Sequence, residues 1–212
     1  MGRPEQSAEE RRELRQKILE AAARIICDEG YPALSMRKLA QRVGYSPAAI
    51  YLHFRNRDEI GRVVGQAGYR ELMEAMTAAA QKHPGAEHAA TRLGAILLAY
   101  VRFGLEHPET YRLILMSDAA YLKAVFAEKQ SDDPAELAFQ LLFDTIADLR
   151  SQGYGAGSRT VLELAESCWV MVHGIVSLRL VCDGYPITTA EELCAIFTEA
   201  LLRGLLDVPR QG

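Results

Sequence analysis

SMRKLAQRVGYSPAAIYLHFRNRD, residues Ser35 to Asp58, is the stretch on which the reading of the whole chain turns. Met36, Leu39, Ala40 and Val43 recur at i, i+3, i+4 and i+7, the apolar stripe of a short helix, with Ser35 placed to cap it. Arg37, Lys38 and Arg42 then face outward. Gly44 stops the helix where a left-handed residue is cheap, and Ser46 with Pro47 opens the next one as N-cap and first-turn proline. A turn this tight sets two helices at a steep angle, so the second can project into a DNA major groove about 12 Å wide. Ile50, Tyr51 and Phe54 are expected to anchor that second helix inside. From Ser35 to Arg57 there are five Lys or Arg and no Asp or Glu, a local field that attracts phosphate. The pattern is that of a helix-turn-helix.

The field is local, because the 212-residue chain as a whole carries a formal charge of −4. Residues 1–57 hold 11 basic and 7 acidic side chains and the remainder 13 and 21, so a positive head precedes an acidic body. Only the head is expected to meet nucleic acid. With 49% hydrophobic residues the chain can bury a sizeable core. Cys27, Cys168, Cys182 and Cys194 are scattered, with neither a CxxC nor a histidine at zinc-ligand spacing, which favours free thiols and gives no reason to expect a metal. The N-terminus is charged, and the apolar runs are broken by Arg102, His173 and Arg179, so no membrane span is expected and the reading is a cytoplasmic protein.

Taken in order, residues 1–10 read as a polar tail, with Arg3 able to reach DNA as an arm. Leu14, Ile18, Ala21, Ala22, Ile25 and Ile26 keep helical period from Arg11 to Glu29, and Gly30 ends that helix. Asn56 and Glu59 have the spacing of a capping box at the start of a long helix to about Gln81. Arg57, in its first turn, is placed near phosphates or in solvent. Lys82-His83-Pro84-Gly85 breaks the chain, and helices are then predicted over 88–106, 108–129 with a break near Ser117, 134–151, 160–182 and 190–206. Pro108 and Asp133-Pro134 open two of them. Thr160 with Glu163 and Thr189 with Glu192 cap two more, and Gly153, Gly155 and Gly157 mark a loop. No alternating strand pattern competes, so the fold class is all-α. A functional boundary falls near residue 58, with the long helix as a strut shared by both parts.

These residues carry a resemblance. From about Ile18 to Ile60 the chain resembles the TetR family of bacterial transcriptional regulators, with Ser35, Leu39, Ala40, Gly44, Ser46, Ile50, Tyr51, His53, Phe54 and Asp58 at family positions. Tyr45, Arg57 and Ile60 depart from the commoner residues, Arg57 keeping the charge of the usual lysine. Trp169, His173 and Gly174 give a W-x-x-x-H-G pattern similar to that of one subgroup. The resemblance implies a three-helix DNA-binding head, residues 1–57, and a helical body, residues 58–212, that binds a small molecule and dimerises through its last two helices. It implies that Arg37, Ser46, Pro47, Ala48, Ala49, Tyr51, Leu52, His53 and Arg57 face DNA, with Tyr51 and His53 on phosphates. Ala48, Ala49 and Leu52 offer only apolar or backbone contacts, which leaves Arg37 as the direct base reader.

Two heads on a pseudo-palindromic operator, with half-sites about 34 to 36 Å apart or a multiple, require a homodimer. Cys168, Val172 and Val176 on the penultimate helix, and Ile196, Phe197, Ala200 and Leu201 on the last, are the interface candidates, on helices apolar over too wide an arc for one partner. Aromatic side chains gather in the middle helices, and Arg102, Phe103, Tyr111, Phe139, Phe143, Trp169 and His173 form the candidate set for a small apolar or amphipathic effector. The same aromatics can serve as plain core. His173 can instead bond a carbonyl, and Arg102 can pair with Glu106 or Asp144. The expected mechanism is a ligand that favours a dimer whose heads are wrongly spaced for the operator.

No phosphate-cradling glycine motif, nucleophile elbow or HExxH pair is present, and the five histidines are dispersed, so neither catalysis nor a cofactor is expected. An architectural or division-control protein without an inducer, or an activator, fits the same residues.

Overall fold

The computed structural model describes residues 7–127, 133–154 and 159–207, the last three through their backbone. Arg3, Gly155 and Gly157 lie outside the described residues. Among the described residues there are helices and turns and no strand: α1 (Ala8–Glu29), α2 (Met36–Val43), α3 (Pro47–Tyr51), α4 (Arg57–Ala80), α5 (Ala89–Glu106), α6 (Pro108–Leu115), α7 (Ala119–Val125), α8 (Pro134–Ser151), α9 (Val161–Val181) and α10 (Ala190–Asp207). The all-α expectation holds. Helix α1 begins three residues before the expected start, because Ser7 accepts the Glu10 amide and Glu10 accepts the Ser7 amide in a complete capping box. Residues 8–10 are therefore helix rather than tail.

By compactness the chain divides into two units, Met1–Gly68 with Glu109–Gln130 and Tyr69–Pro108 with Ser131–Gly212, and α4 runs through both. In the first, Leu14, Ile18, Ile25, Leu39, Ile50 and Phe54 form one core. Burial of each such side chain contributes about 1.5–3 kcal/mol before chain entropy is counted. Tyr31, between α1 and α2, joins several elements here. Its hydroxyl donates to Asp58, its backbone N–H donates to Asp118 at 3.3 Å, and its ring lies 5.4 Å from that of Tyr121. Asp118 also accepts the Tyr121 amide at 2.9 Å as the N-cap of α7, so the break expected near Ser117 is a capped helix start.

One face of α4 is glycine at i, i+4 and i+7. A Cβ on Gly61 would stand 2.9 Å from the Tyr31 ring, on Gly65 2.6 Å from Val125 and on Gly68 2.7 Å from Ile114. These positions let α6, α7 and the Tyr31 turn touch the α4 backbone itself.

In the second unit α5 is the central helix, with α8, α9 and α10 packed on it. Leu93, Ile96, Leu97, Tyr100 and Val101 of α5 meet Leu142 and Ile146 of α8 and Leu164, Ala165, Cys168 and Val172 of α9 in the core. Arg92, 8% exposed, is the unexpected member. Its guanidinium donates to the His83 and Gly85 carbonyls at 3.1 and 2.6 Å, to the Thr145 hydroxyl at 3.4 Å and to the Asp148 carboxylate. A buried guanidinium with every edge engaged fixes the 82–85 break against α8, which offsets its desolvation. Helix α9 is, among the described residues, long and apolar enough by composition to cross a membrane. Leu164, Ala165, Cys168, Val172, Ile175 and Val176 of this helix are buried in the core of the unit.

Candidate nucleic-acid interface and effector region

The helix-turn-helix forms as its residues dictate. Ser35 accepts the Lys38 amide at 3.2 Å, Gly44 closes α2 in the left-handed region at φ 76°, and Ser46 accepts the Ala49 amide at 3.3 Å to open α3. Ile50 and Phe54, one turn apart, are buried. Tyr51 lies about 100° further round the helix and is 56% exposed, so it does not anchor α3 as expected. Leu52 is 83% exposed beside it. Ser46, Pro47 and Ala48 are also exposed, Ala49 and His53 half-buried, and Arg37 exposed on α2. An exposed leucine and tyrosine at the tip of a short helix suit thymine methyls and the sugar-phosphate edge.

The charge pattern is redistributed in space. Lys38 pairs with Glu29 of α1 and Arg42 reaches the same carboxylate at 3.4 Å, so two of the five cations are answered by an acid that lies just before the basic stretch. Arg57, expected at phosphates or in solvent, is turned to the Tyr31 ring at 5.1 Å and donates to the Leu34 carbonyl at 3.3 Å. Its neighbour Glu59 accepts the Arg55 amide at 2.7 Å rather than that of Asn56, while Asn56 caps the Glu59 amide at 2.8 Å. Arg37 and Arg55 remain exposed, with no ion pair among the described residues. Helix α1 adds cations that sequence reading did not place. The Arg15 guanidinium lies 4.9 Å over the Phe54 ring, and Arg15 and Arg11 both act on His53. Burial first, then those two charges, holds the His53 imidazole below its ordinary pKa of 6.5 and hence neutral at pH 7. The exposed spacing of Arg11 and Arg15, one helical turn apart, was the available signal.

The effector candidates separate. Tyr111 belongs to the first compact unit and is fully buried, whereas Arg102, Phe103, Phe139, Phe143, Trp169 and His173 belong to the second. Trp169 packs edge-on against Tyr100 at 5.1 Å and Phe139 at 6.0 Å, an aromatic cluster of α5, α8 and α9. His173 is half-buried, and burial lowers its pKa. Arg102 is exposed, with no ion pair to Glu106 or Asp144 among the described residues, and with Phe103 it lines a recess of 320 Å³ between α4 and α5. A second recess of 460 Å³, lined by Leu98, Tyr154, Cys194, Ala195, Thr198 and Leu202, lies between α5 and α10. Periodicity could not reveal it, because these residues are small or lie far apart in sequence.

Of the interface candidates, Cys168, Val172 and Val176 are buried within the protomer, because α9 turns that stripe onto α5. They leave no surface for a partner. The outward apolar residues of α9 are Leu162, Val170, Leu178 and Val181, with Val170 and Leu178 two positions from the buried stripe and so on the far side of the helix. On α10, Ile196 is 59% exposed, Ala200 exposed, and Phe197 and Leu201 half-buried.

Two family models match the chain. "Bacterial regulatory proteins, tetR family" matches residues 18–64, and "Tetracyclin repressor-like, C-terminal domain" matches residues 93–203. The chain belongs to the TetR family. A TetR regulator reads DNA with its N-terminal helix-turn-helix, and here that element is α2, the Gly44 turn and α3. Solved structures agree on the fold. A protein of unknown function from Rhodococcus sp. RHA1 is 24% identical with a TM-score of 0.67, covering 91% of this chain and 95% of its own. The fatty acid degradation regulator FadR from Bacillus halodurans is 13% identical with a TM-score of 0.69, covering 93% and 96%. AibR, solved in complex with isovaleryl coenzyme A and operator DNA, is 18% identical with a TM-score of 0.65, covering 89% and 98%.

Proposed function

We propose that this TetR regulator is a cytoplasmic repressor that sits as a homodimer on a pseudo-palindromic operator and leaves it when a small apolar or amphipathic molecule binds the body. Residues 1–57 are the DNA-binding part and 58–212 the ligand-binding and dimerisation part. The observation that carries the reading is the presentation of the helix-turn-helix, with Arg37 of α2 and Ser46, Pro47, Ala48, Tyr51 and Leu52 at and around α3 all exposed. Arg37 reads a base, Tyr51 and His53 meet phosphates, and Arg57 acts mainly by holding Tyr31. The exposed stripes of α9 and α10, around Val170, Leu178, Ile196 and Ala200, supply the apolar face of a two-fold interface. AibR, with both an acyl-coenzyme A and operator DNA, supports an effector site in a body of this fold. The W-x-x-x-H-G subgroup is part of the same proposal, Trp169 belonging to the aromatic cluster of α5, α8 and α9.

The effector acts only through its differential affinity for the operator-competent and incompetent states. Fluorescence anisotropy of the full-length protein on duplexes from the region upstream of its own gene tests this. A saturable, salt-sensitive complex that a small molecule dissociates is expected; a complex that every candidate leaves intact, while calorimetry shows the candidate bound, removes the release step.

A further inference from the structure

The recess between α4 and α5 has a floor of alanine. Ala75, Ala78 and Ala79 of α4 face Ala95 and Ala99 of α5, and Phe103 closes one side with its ring 5.2 Å from that of His107. Larger side chains at these five positions would fill the groove; alanine leaves 320 Å³ open, near the lower end of the range of small-molecule sites, about 300–1,000 Å³. Two cations border it. Lys82 lies two residues past the end of α4, and Arg102 stands on α5. Neither has an ion pair among the described residues. Glu106 is four residues from Arg102, the spacing at which helical ion pairs form, and does not take it. Lys38, Arg42, Arg92 and Arg57, by contrast, are all engaged with protein carboxylates. An apolar floor with two uncommitted cations against a single carboxylate is complementary to an apolar chain bearing one negative charge.

We propose that this recess binds a short-chain or medium-chain amphiphile with an anionic head, the tail lying along the alanine floor and the carboxylate held by Arg102 and Lys82. The proposal rests on the reading of the body as the effector-binding part and names the chemical class of that effector. Both cations are exposed, so each ion pair is screened. Removing either weakens binding by about fivefold, the upper end for a solvent-screened pair, and removing both by on the order of twentyfold if they act independently.

The test is titration calorimetry on the full-length, DNA-free protein with octanoate, octylamine, octanol and acetate as probes. Octanoate is expected to bind, octylamine and acetate not to, and octanol more weakly than octanoate. Arg102→Gln and Lys82→Gln are expected to weaken octanoate by the stated factors, and Ala99→Phe, which fills the groove, to abolish it. Equal binding of octylamine, or unchanged octanoate binding in the double variant, overturns the proposal. So does a change of oligomeric state by sedimentation in Ala99→Phe, which would assign the groove to a second copy of the chain. Operator release is measured separately by anisotropy: octanoate that binds with the predicted variant pattern but leaves the operator complex intact establishes the site and refutes the release reading alone.

Discussion

Replacing Gly65 by alanine should destabilise a helix that alanine ordinarily favours. A Cβ built on Gly65 stands 2.6 and 3.0 Å from the two Val125 methyls and 3.1 Å from the Tyr121 hydroxyl. Val125 and Tyr121 are 1% and 0% exposed, so neither can swing into solvent. Either α7 moves off α4 or Val125 leaves its rotamer, which costs about 1–3 kcal/mol. The gain in helix propensity from Gly to Ala is about 1 kcal/mol, so the net loss is roughly 1 kcal/mol. Gly94 is the internal control. It is also mid-helix, but its Cβ would meet only Thr198, at an ordinary 3.6 Å, so Gly94→Ala should gain about 1 kcal/mol from propensity alone. For a chain of this length, 1 kcal/mol moves the midpoint by about 2–4 °C, so the two variants should diverge by roughly 4–8 °C in calorimetry at fixed protein concentration. In the Val125→Ala background the clash is gone, and Gly65→Ala should there become neutral or stabilising. If Gly65→Ala raises the midpoint as much as Gly94→Ala does, the close approach of α7 to the α4 backbone is wrong.

Arg92→Met should cost about 2–3 kcal/mol in urea denaturation, because the Asp148 carboxylate and two carbonyls lose their donor, although Asp148 keeps access to water. His53 is held below its ordinary pKa, so it is neutral at pH 7, and a phosphate nearby would favour its charged form. Operator affinity should therefore rise as pH falls from 7.5 to about 6, and His53→Gln should remove that part of the rise in an anisotropy titration. The stability sign is opposite. The unfolded chain binds the proton first, so the His53 contribution is present above its ordinary 6.5 and is lost as pH falls through the lowered folded value, which His53→Gln should likewise flatten. Ile196→Asp puts a charge on the exposed apolar stripe of α10 and should shift the protein toward monomer in sedimentation and weaken operator binding, with little change in circular dichroism.

Much of the fold was legible because its boundaries are local chemistry. The Gly44 stop, the Ser46-Pro47 start and the capping boxes at Thr160 and Thr189 act within four residues of themselves, and the helices form where they direct. Ser7-Ala-Glu-Glu10 carries the same signal and extends α1 across residues whose polarity suggests a tail. What was not legible depends on which way a helix turns and on what arrives from elsewhere. Cys168 and Val172 form a good apolar stripe, but periodicity cannot say whether α5 or a second subunit covers it, and α5 does. Arg102 is a cation in an apolar tract and is exposed, while Arg92, in an equally apolar tract, is buried because Asp148 and Thr145 of α8 come to meet it. The positive field of 35–57 could not include Glu29, whose carboxylate reaches Lys38 and Arg42 only through the angle between α1 and α2.

The central claim is that α2 and α3 read a specific operator and that Arg37, alone among the exposed cations of the turn, reads a base. The direct measurement is anisotropy with Arg37→Ala and wild-type protein on the operator and on a scrambled duplex across a range of salt. A lost bidentate contact to guanine removes about 1–3 kcal/mol of discrimination, so operator affinity should fall about five- to hundredfold while scrambled-duplex affinity changes little. Equal loss on both duplexes, with the salt slope reduced by about 0.9, would make Arg37 a phosphate contact and contradict the account of how this head chooses its site.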